Sequence, residues 1–228
     1  AVADAARTFR IPPGMSFGEA AVLPIVYHTA LFALQHRAAL GAGEWLLVHA
    51  GASGVGMAAI QIGAALGASV IATAGSPEKL DFCRAQGAEH ALSYRDASWV
   101  DRVKEITGGR GAGVIYDPVG GDIFDLSTKC IAMEGRLLVI GFASGRIPAI
   151  QVHRILLKNI SIVGVLWGNY DRAHPDYLPQ AHQSLERLYA AGRIHPRISR
   201  SYPLEAIPTA LRDLADRKIL GKAVVVME

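Results

Sequence analysis

Cysteine is scarce in this sequence, and so are the patterns that mark metal sites or nucleic-acid surfaces. The 228 residues contain two cysteines, Cys83 and Cys130, which lie far apart within predicted helices. A disulfide between them is unmotivated, and no spacing of zinc ligands is present, so we expect no metal. Basic residues exceed acidic ones only slightly, 23 against 20, and they are dispersed. No nucleic-acid partner is therefore predicted.

The sequence also predicts no membrane-spanning segment. No uninterrupted apolar stretch approaches the length that spans a bilayer, and the first residues resemble neither a signal nor a transit peptide. Apolar residues make up 51% of the chain and charged residues 19%, which is typical of a globular protein. We therefore expect a cytoplasmic protein without a membrane partner.

Glycine, by contrast, is concentrated where an apolar run meets a helix-forming segment. The run beginning at Trp45 leads into a small-residue turn from Gly51 to Gly56, and an Ala-rich helical segment and a second apolar run, residues 69–73, follow. This order is typical of the opening βαβ unit of a dinucleotide-binding sheet. Ser53 replaces the middle glycine of G-x-G-x-x-G, so the placement between strand and helix carries the prediction. The alternative is a glycine-rich turn of another α/β protein.

An acidic residue is missing at the end of the second strand. NAD sites place Asp or Glu about 20 residues past the glycines, where it binds the ribose 2′-hydroxyl. Here residues 73–76 read TAGS, and Lys79 follows. Hydroxyls and a lysine without a carboxylate suit a 2′-phosphate, so the sequence predicts NADP(H) as the cofactor. The alternative for Lys79 is an exposed lysine on a helix face with no ligand.

Six strands are predicted to alternate with helices. They cover residues 44–49, 69–73, 90–94, 113–116, 136–141 and 160–167. This alternation indicates an α/β fold with a Rossmann-type doubly wound six-stranded parallel sheet, which binds ligands beyond the carboxyl ends of its strands. In the first helix, Ser16 and Glu19 form a predicted capping box, and Pro24 is expected to kink or split the helix. Another helix is expected over residues 122–133.

The segment after residue 168 breaks this alternation. A helix is predicted over residues 175–191, a strand over 198–202, a second helix over 204–217 and a last strand over 222–227. Apolar residues of the second helix recur on one stripe, which indicates a buried face. The segment therefore looks like part of a second structural unit whose remainder is absent.

Five stretches of the sequence, taken in order, resemble one protein family. They are GMSFGEAAVLPIVYHTALFAL, LLVHAGASGVGMAAIQIGAALGASVIATAGSPEK, DPVGG, GFASG and LLKNISIVGVLWG. Together they resemble the zinc-independent NADPH:quinone oxidoreductases of the medium-chain dehydrogenase/reductase superfamily. The resemblance covers nearly the whole chain, and enoyl reductases are similar to it more distantly.

The resemblance implies where NADP(H) would bind. The pyrophosphate would be held by four consecutive loop residues, Ser53, Gly54, Val55 and Gly56. The adenosine 2′-phosphate would be surrounded by Ser76, Lys79, Tyr94 and Arg217. The nicotinamide end would be lined by Thr29, Val119, Gly141 and Phe142.

The resemblance also implies a domain arrangement. Family members begin with a barrel-like catalytic domain that the C-terminal tail rejoins, and most of that domain is expected to be missing from this chain. Residues 1–24 would be its tail and a linker, residues 25–167 the NADP-binding Rossmann domain, and residues 168–228 the return to the catalytic domain. The C-terminal segment would thus be a remnant of the barrel.

The reaction implied by the resemblance is zinc-independent hydride transfer from NADPH to a quinone or an activated alkene such as an enone. Two alternatives stay open: an enoyl-thioester reductase, which differs only in substrate, and a non-catalytic NADP(H)-binding module. Tyr27 and His28 lie next to Thr29 and are the candidates for a general acid. Helix packing or a place on a dimer surface is the favoured interpretation of both, so no catalytic residue is assigned.

The sixth strand predicts an oligomer. Residues 160–167 are apolar and fall at the edge of the sheet in the expected strand order. An exposed apolar edge strand is a liability unless it is paired. Pairing with the same strand of a second copy would make a two-fold homodimer with a continuous sheet.

Overall fold

A six-stranded parallel sheet forms the centre of this computed structural model, which describes residues 2–227. The strand order is β3-β2-β1-β4-β5-β6. The strands are β1 (Trp45–Val48), β2 (Ser69–Ala74), β3 (His90–Ser93), β4 (Ala112–Asp117), β5 (Ile131–Val139) and β6 (Ser161–Gly164). All neighbouring pairs are parallel, so the predicted Rossmann-type α/β fold is confirmed. The order reverses direction between β1 and β4, the point where such sheets open a ligand crevice.

Helices cover both faces of the sheet. They are α1 (Phe17–Leu31), α2 (Gly54–Ala65), α3 (Pro77–Ala85), α4 (Trp99–Ile106), α5 (Gly121–Cys130), α6 (His153–Lys158), α7 (Trp167–Ala173) and α8 (Tyr177–Ala190). Side chains of β1 alternate between two cores because successive strand residues face opposite sides. Leu46 and Val48 pack with α1, α2 and α8, and Leu47 packs with α4 and α5.

The first helix does not break at its proline. The predicted capping box is present, since Ser16 Oγ accepts from the N–H of Glu19 and the Glu19 carboxylate accepts from the N–H of Ser16. Helix α1 then continues through Pro24 and passes directly into a wider π-helical segment, Phe32–Arg37. Burial of one face holds the helix together across the proline, because packing of a helical face outweighs local propensity.

Two predicted element ends are wrong. The helix expected over residues 122–133 ends at Cys130, because Ile131 already pairs with Ala112 as the first residue of β5. The strand expected over residues 160–167 is only Ser161–Gly164, and Trp167 begins α7 instead. The β6 strand leaves the sheet where its partner ends, since the last residue pair joins Val139 to Gly164.

The C-terminal tail forms a small separate sheet. Strands β7 (Ile198–Pro203) and β8 (Lys222–Val226) are parallel, and helix α9 (Ile207–Ala215) joins them. The predicted apolar stripe of this helix faces outward, with Leu211 61% and Leu214 62% exposed. A bridge from Gly221 to Ser53 attaches the tail to the turn before α2. The tail therefore contributes to the crevice while leaving apolar side chains uncovered.

Within the described residues, one helix is long and apolar enough to span a membrane, which corrects the expectation that no stretch approaches that length. It covers Phe17–Arg37 and has a mean hydropathy of 1.5. However, 56% of the 18-residue window that gives this hydropathy is buried inside the structure. Leu23 and Val26 are among the buried residues of the helix. In this fold the helix is part of the core.

Candidate cofactor site

The turn between β1 and α2 presents a helix N-terminus at the carboxyl end of the sheet. Ser53 is the N-cap of α2, and its Oγ accepts a hydrogen bond of 3.1 Å from the N–H of Gly56. The serine that replaces the middle glycine of the pattern therefore caps the helix. The remaining N–H groups of the first turn and the helix dipole make this end suited to an anion.

Two glycines of this turn are required by close packing. A Cβ on Gly56 would lie 2.2 Å from the carbonyl oxygen of Ala50 and 2.8 Å from Cα of Gly51. A Cβ on Gly51 would lie 2.7 Å from Sγ of Cys83 and 3.0 Å from Cβ of Ala72. Because backbone cannot yield as a flexible side chain can, the turn keeps its shape only with glycine at residue 56.

The third glycine of the turn has an unexpected neighbour. A Cβ on Gly54 would lie 2.5 Å from Cδ of Lys222, the first residue of β8. The backbone N–H of Gly221 donates to the carbonyl oxygen of Ala52 at 2.8 Å. Lys222 thus lies over the N-terminus of α2, and it was missed because no local pattern connects the last strand to this turn.

The residues predicted for the 2′-phosphate come from three separate segments. Lys79 Nζ donates a 2.6 Å hydrogen bond to the backbone oxygen of Arg217, which is 138 positions away. The phenol oxygen of Tyr94 lies above Gly75, where a Cβ would be 2.3 Å from it. Ser76 is the N-cap of α3, but its side chain makes no capping hydrogen bond. The Lys79 side chain, the hydroxyl-bearing residues Ser76 and Tyr94 and the backbone of Arg217 therefore lie beyond the end of β2.

Val119, Gly141 and Phe142 come together at the ends of β4 and β5. The Asp117 carboxylate accepts hydrogen bonds from the N–H groups of Val119 and Gly120, at 2.8 and 3.0 Å. Burial raises the pKa of Asp117 above its usual range, and these two hydrogen bonds oppose that rise. A Cβ on Gly120 would lie 3.0 Å from the ring of Phe142. The result is a stiff turn beside an aromatic ring that is 39% exposed.

Thr29 lies on α1, and its contacts lead to α7. Its Oγ1 donates a 2.7 Å hydrogen bond to the backbone oxygen of Ile25. Thr29 Oγ1 also accepts a 3.1 Å hydrogen bond from the indole Nε1–H of Trp167. Sequence reasoning missed Trp167 because the apolar run before it predicted a longer strand. Both side chains are partly exposed.

The two candidates for a general acid are buried packing residues. Tyr27 is fully buried and donates to Oε1 of Gln61 at 2.8 Å, and burial raises the pKa of its phenol. His28 is 1% exposed, and burial lowers the pKa of its imidazole to about 4. Its Nδ1 faces the backbone oxygen of Pro24, so the proton of the neutral ring lies on that nitrogen. Neither group offers a free proton at neutral pH.

The described part of the chain does not fit a zinc ion. Among residues 2–227, no group of three or more His, Cys, Asp or Glu side chains is arranged to hold a metal. Cys83 and Cys130 are free and buried, and burial raises the pKa of both thiols to about 12. Protonated thiols are poor metal ligands, so neither cysteine suits a structural or catalytic zinc site.

Comparison with known proteins matches residues 54–187 to a family model described as "Zinc-binding dehydrogenase". The chain is 37% identical to "Quinone oxidoreductase-like protein 2" of Bos taurus, over 98% of this chain and 64% of that protein. It thus spans less than two thirds of the length of that relative.

Solved structures are similar over the same extent. Escherichia coli quinone oxidoreductase complexed with NADPH superposes with a TM-score of 0.87 at 29% identity, covering 97% of this chain and 69% of that one. CurK enoyl reductase gives a TM-score of 0.85 at 30% identity, covering 96% of this chain and 65% of that one. The chain therefore belongs to the zinc-binding dehydrogenase family, within the quinone oxidoreductases of the medium-chain dehydrogenase/reductase superfamily.

Proposed function

We propose that this chain is the NADP(H)-binding part of an oxidoreductase that transfers hydride to a quinone or an activated alkene without zinc. The observation that carries the proposal is the glycine turn, in which Gly56 leaves no room for a Cβ and α2 directs its N-terminus outward. The similarity to an NADPH-bound quinone oxidoreductase supports the same cofactor here.

Three groups of residues would bind three different parts of the cofactor. When bound, the dihydronicotinamide would supply the hydride. Ser53, Gly54, Val55 and Gly56 would hold the pyrophosphate through backbone N–H groups. Ser76, Lys79, Tyr94 and Arg217 would bind the 2′-phosphate. Thr29, Val119, Gly141 and Phe142 would orient the nicotinamide and shield it from water, which lowers the entropic cost of transfer. No catalytic residue is assigned.

An enoyl-thioester reductase is the second candidate, and the similarity to CurK enoyl reductase favours it. A single assay separates the candidates: oxidation of NADPH by the purified protein with a quinone, an enone and an enoyl thioester. Our proposal expects turnover with the quinone or the enone. Turnover with the thioester alone would support the second candidate, and binding without turnover would support a non-catalytic module.

The domain arrangement is part of the proposal. Residues 1–24 and 168–228, whose first and last residues lie outside the described part, would belong to a second domain flanking the Rossmann domain at 25–167. Phe17 is 86% exposed and Met227 is 79% exposed, as expected of apolar side chains that a second domain would cover.

The free cysteines Cys83 and Cys130 suit a reducing compartment, and we place the protein in the cytoplasm.

Replacing Lys79 by alanine is expected to weaken NADPH binding about tenfold and to leave NADH binding unchanged, because one charge-assisted hydrogen bond to the 2′-phosphate is lost. Calorimetry on both nucleotides measures the effect. The matched control is Lys104→Ala, which removes an exposed lysine paired with Asp101 on α4. An equal loss for both nucleotides would contradict the placement of the 2′-phosphate at Lys79.

We further propose a homodimer through the edge strand within residues 160–167. Strand β6 has β5 on one side only, and Leu156 and Leu157 of the preceding helix are 74% and 71% exposed. On a sizing column the 24.3 kDa chain should elute as a dimer, and Leu156→Glu with Leu157→Glu should shift it to monomer. Leu211→Glu, which changes another exposed leucine on α9, should leave the dimer intact. A monomeric wild type at micromolar concentration would rule the proposal out.

A further inference from the structure

We propose that Trp167 is a positioning residue that, together with the backbone oxygen of Ile25, fixes the Thr29 hydroxyl so that its remaining lone pair accepts a hydrogen bond from the nicotinamide end of the cofactor. The proposal rests on the proposed function, which places that end of NADP(H) beside Thr29. It assigns a role to a side chain outside the set of residues derived from the sequence.

The Thr29 hydroxyl can take part in three hydrogen bonds, and two of them are made within the protein. A hydroxyl has one proton and two lone pairs. The proton is given to the backbone oxygen of Ile25 at 2.7 Å, and one lone pair accepts the indole N–H of Trp167 at 3.1 Å. One lone pair remains. Thr29 in this arrangement therefore accepts from a donor, such as a ribose hydroxyl or a carboxamide N–H, and offers nothing to a carbonyl oxygen.

A row of neighbouring aromatic rings holds the indole in place. The ring of Trp167 lies 5.7 Å from that of His28, which lies 5.6 Å from that of His182. His182 in turn stacks on Phe9 at 4.0 Å. These rings come from four separate segments of the chain, so the orientation of the indole N–H is set by the tertiary fold. A preset donor avoids the cost of ordering when the ligand binds.

The neutrality of His28 fits this role. Burial keeps the pKa of His28 well below neutral, and its proton faces the backbone oxygen of Pro24. The ring next to the indole is therefore uncharged at pH 7. The indole N–H of Trp167 donates to the Thr29 hydroxyl and not to this ring.

A double-mutant cycle on this chain tests the proposal. Trp167→Phe keeps an aromatic ring and removes the N–H, while Thr29→Val removes the hydroxyl and keeps the shape. Each change is expected to weaken NADPH binding about fivefold, the effect of one neutral hydrogen bond. The double variant should bind about as weakly as Thr29→Val alone, because Trp167 acts on the cofactor only through the Thr29 hydroxyl. Thr29→Ser should restore binding.

Matched controls and an analogue complete the test. Trp45→Phe, which changes a partly buried tryptophan at the start of β1, should leave NADPH affinity unchanged.

The 3-acetylpyridine analogue of NADPH lacks the carboxamide N–H. If Thr29→Val still weakens its binding, the donor is a ribose hydroxyl; if not, the donor is the carboxamide. Both outcomes support an acceptor at Thr29.

Two results would overturn the proposal, and they are distinguishable. If the wild-type chain binds NADPH and the effects of Trp167→Phe and Thr29→Val are absent or simply additive, the positioning role is wrong while the cofactor assignment stands. If the wild-type chain does not bind NADPH, both the proposed function and this role fail. Near-ultraviolet circular dichroism of each variant confirms that the fold is retained.

Discussion

Gly56→Ala is expected to reduce NADPH affinity by about 100-fold, the loss expected when about two hydrogen bonds to the charged pyrophosphate are broken. The smallest possible side chain at this position already lies 2.2 Å from the backbone oxygen of Ala50. Relief requires the turn or the first turn of α2 to move, and both carry the N–H groups that we propose hold the pyrophosphate. Isothermal calorimetry of the wild type and the variant measures the loss.

The control for this change is Gly164→Ala, where an added Cβ meets no atom within 4 Å. That variant should bind NADPH like the wild type. A Gly56→Ala variant that retains full affinity would show that the turn does not hold the phosphates. Circular dichroism of both variants distinguishes a local change in the turn from loss of the fold.

Lowering the pH from 7 to 4.5 is expected to remove about 2–3 kcal/mol of the free energy of unfolding through His49 alone. This side chain is fully buried between Thr73 and Ser127, at 2.9 and 2.8 Å, and burial lowers its pKa from 6.5 to about 3. Below pH 6.5 the imidazole of His49 is protonated in the unfolded chain but stays neutral in the folded chain until the pH approaches 3. The contribution is therefore fully present above pH 6.5 and declines as the pH falls toward 3.

Urea denaturation of wild type and His49→Gln at the two pH values isolates this contribution. Glutamine can hydrogen-bond to both hydroxyls but does not titrate, so the loss of stability on acidification should be smaller by about 2–3 kcal/mol. His153→Gln, which removes an exposed histidine, should follow the wild type. Identical acid sensitivity of the wild type and His49→Gln would mean that His49 is protonated in the folded protein.

The parts of the fold that could be predicted are those with a local physical cause. The alternation of apolar runs and helix-forming segments identified all six strands of the sheet, because strands of a parallel sheet covered by helices consist of short apolar runs. The central strands β1, β2 and β4 are almost fully buried. The turn from Gly51 to Gly56 could be predicted because a sharp turn and a helix start impose glycine and a capping residue at particular positions. Likewise the capping box of α1 involves only residues 16–19.

What the sequence did not reveal depends on contacts between distant segments. Lys222 lies beside Gly54, and Trp167 donates to Thr29, through packing that no nearby residue signals. The ends of strands behave in the same way: β6 stops where β5 stops, although the apolar pattern continues to Trp167. Pro24 remains inside α1 because the buried face of the helix outweighs the missing hydrogen bond.

The most direct test of the central claim is calorimetric titration of this chain with NADPH and with NADH under identical conditions. We expect NADPH to bind at least about tenfold more tightly, since Lys79 and Arg217 are the residues we propose for the 2′-phosphate and residues 73–76 contain no acid that would bind a ribose 2′-hydroxyl. Equal affinities, a preference for NADH, or no binding of either nucleotide would contradict the assignment of this chain as an NADP(H)-binding domain.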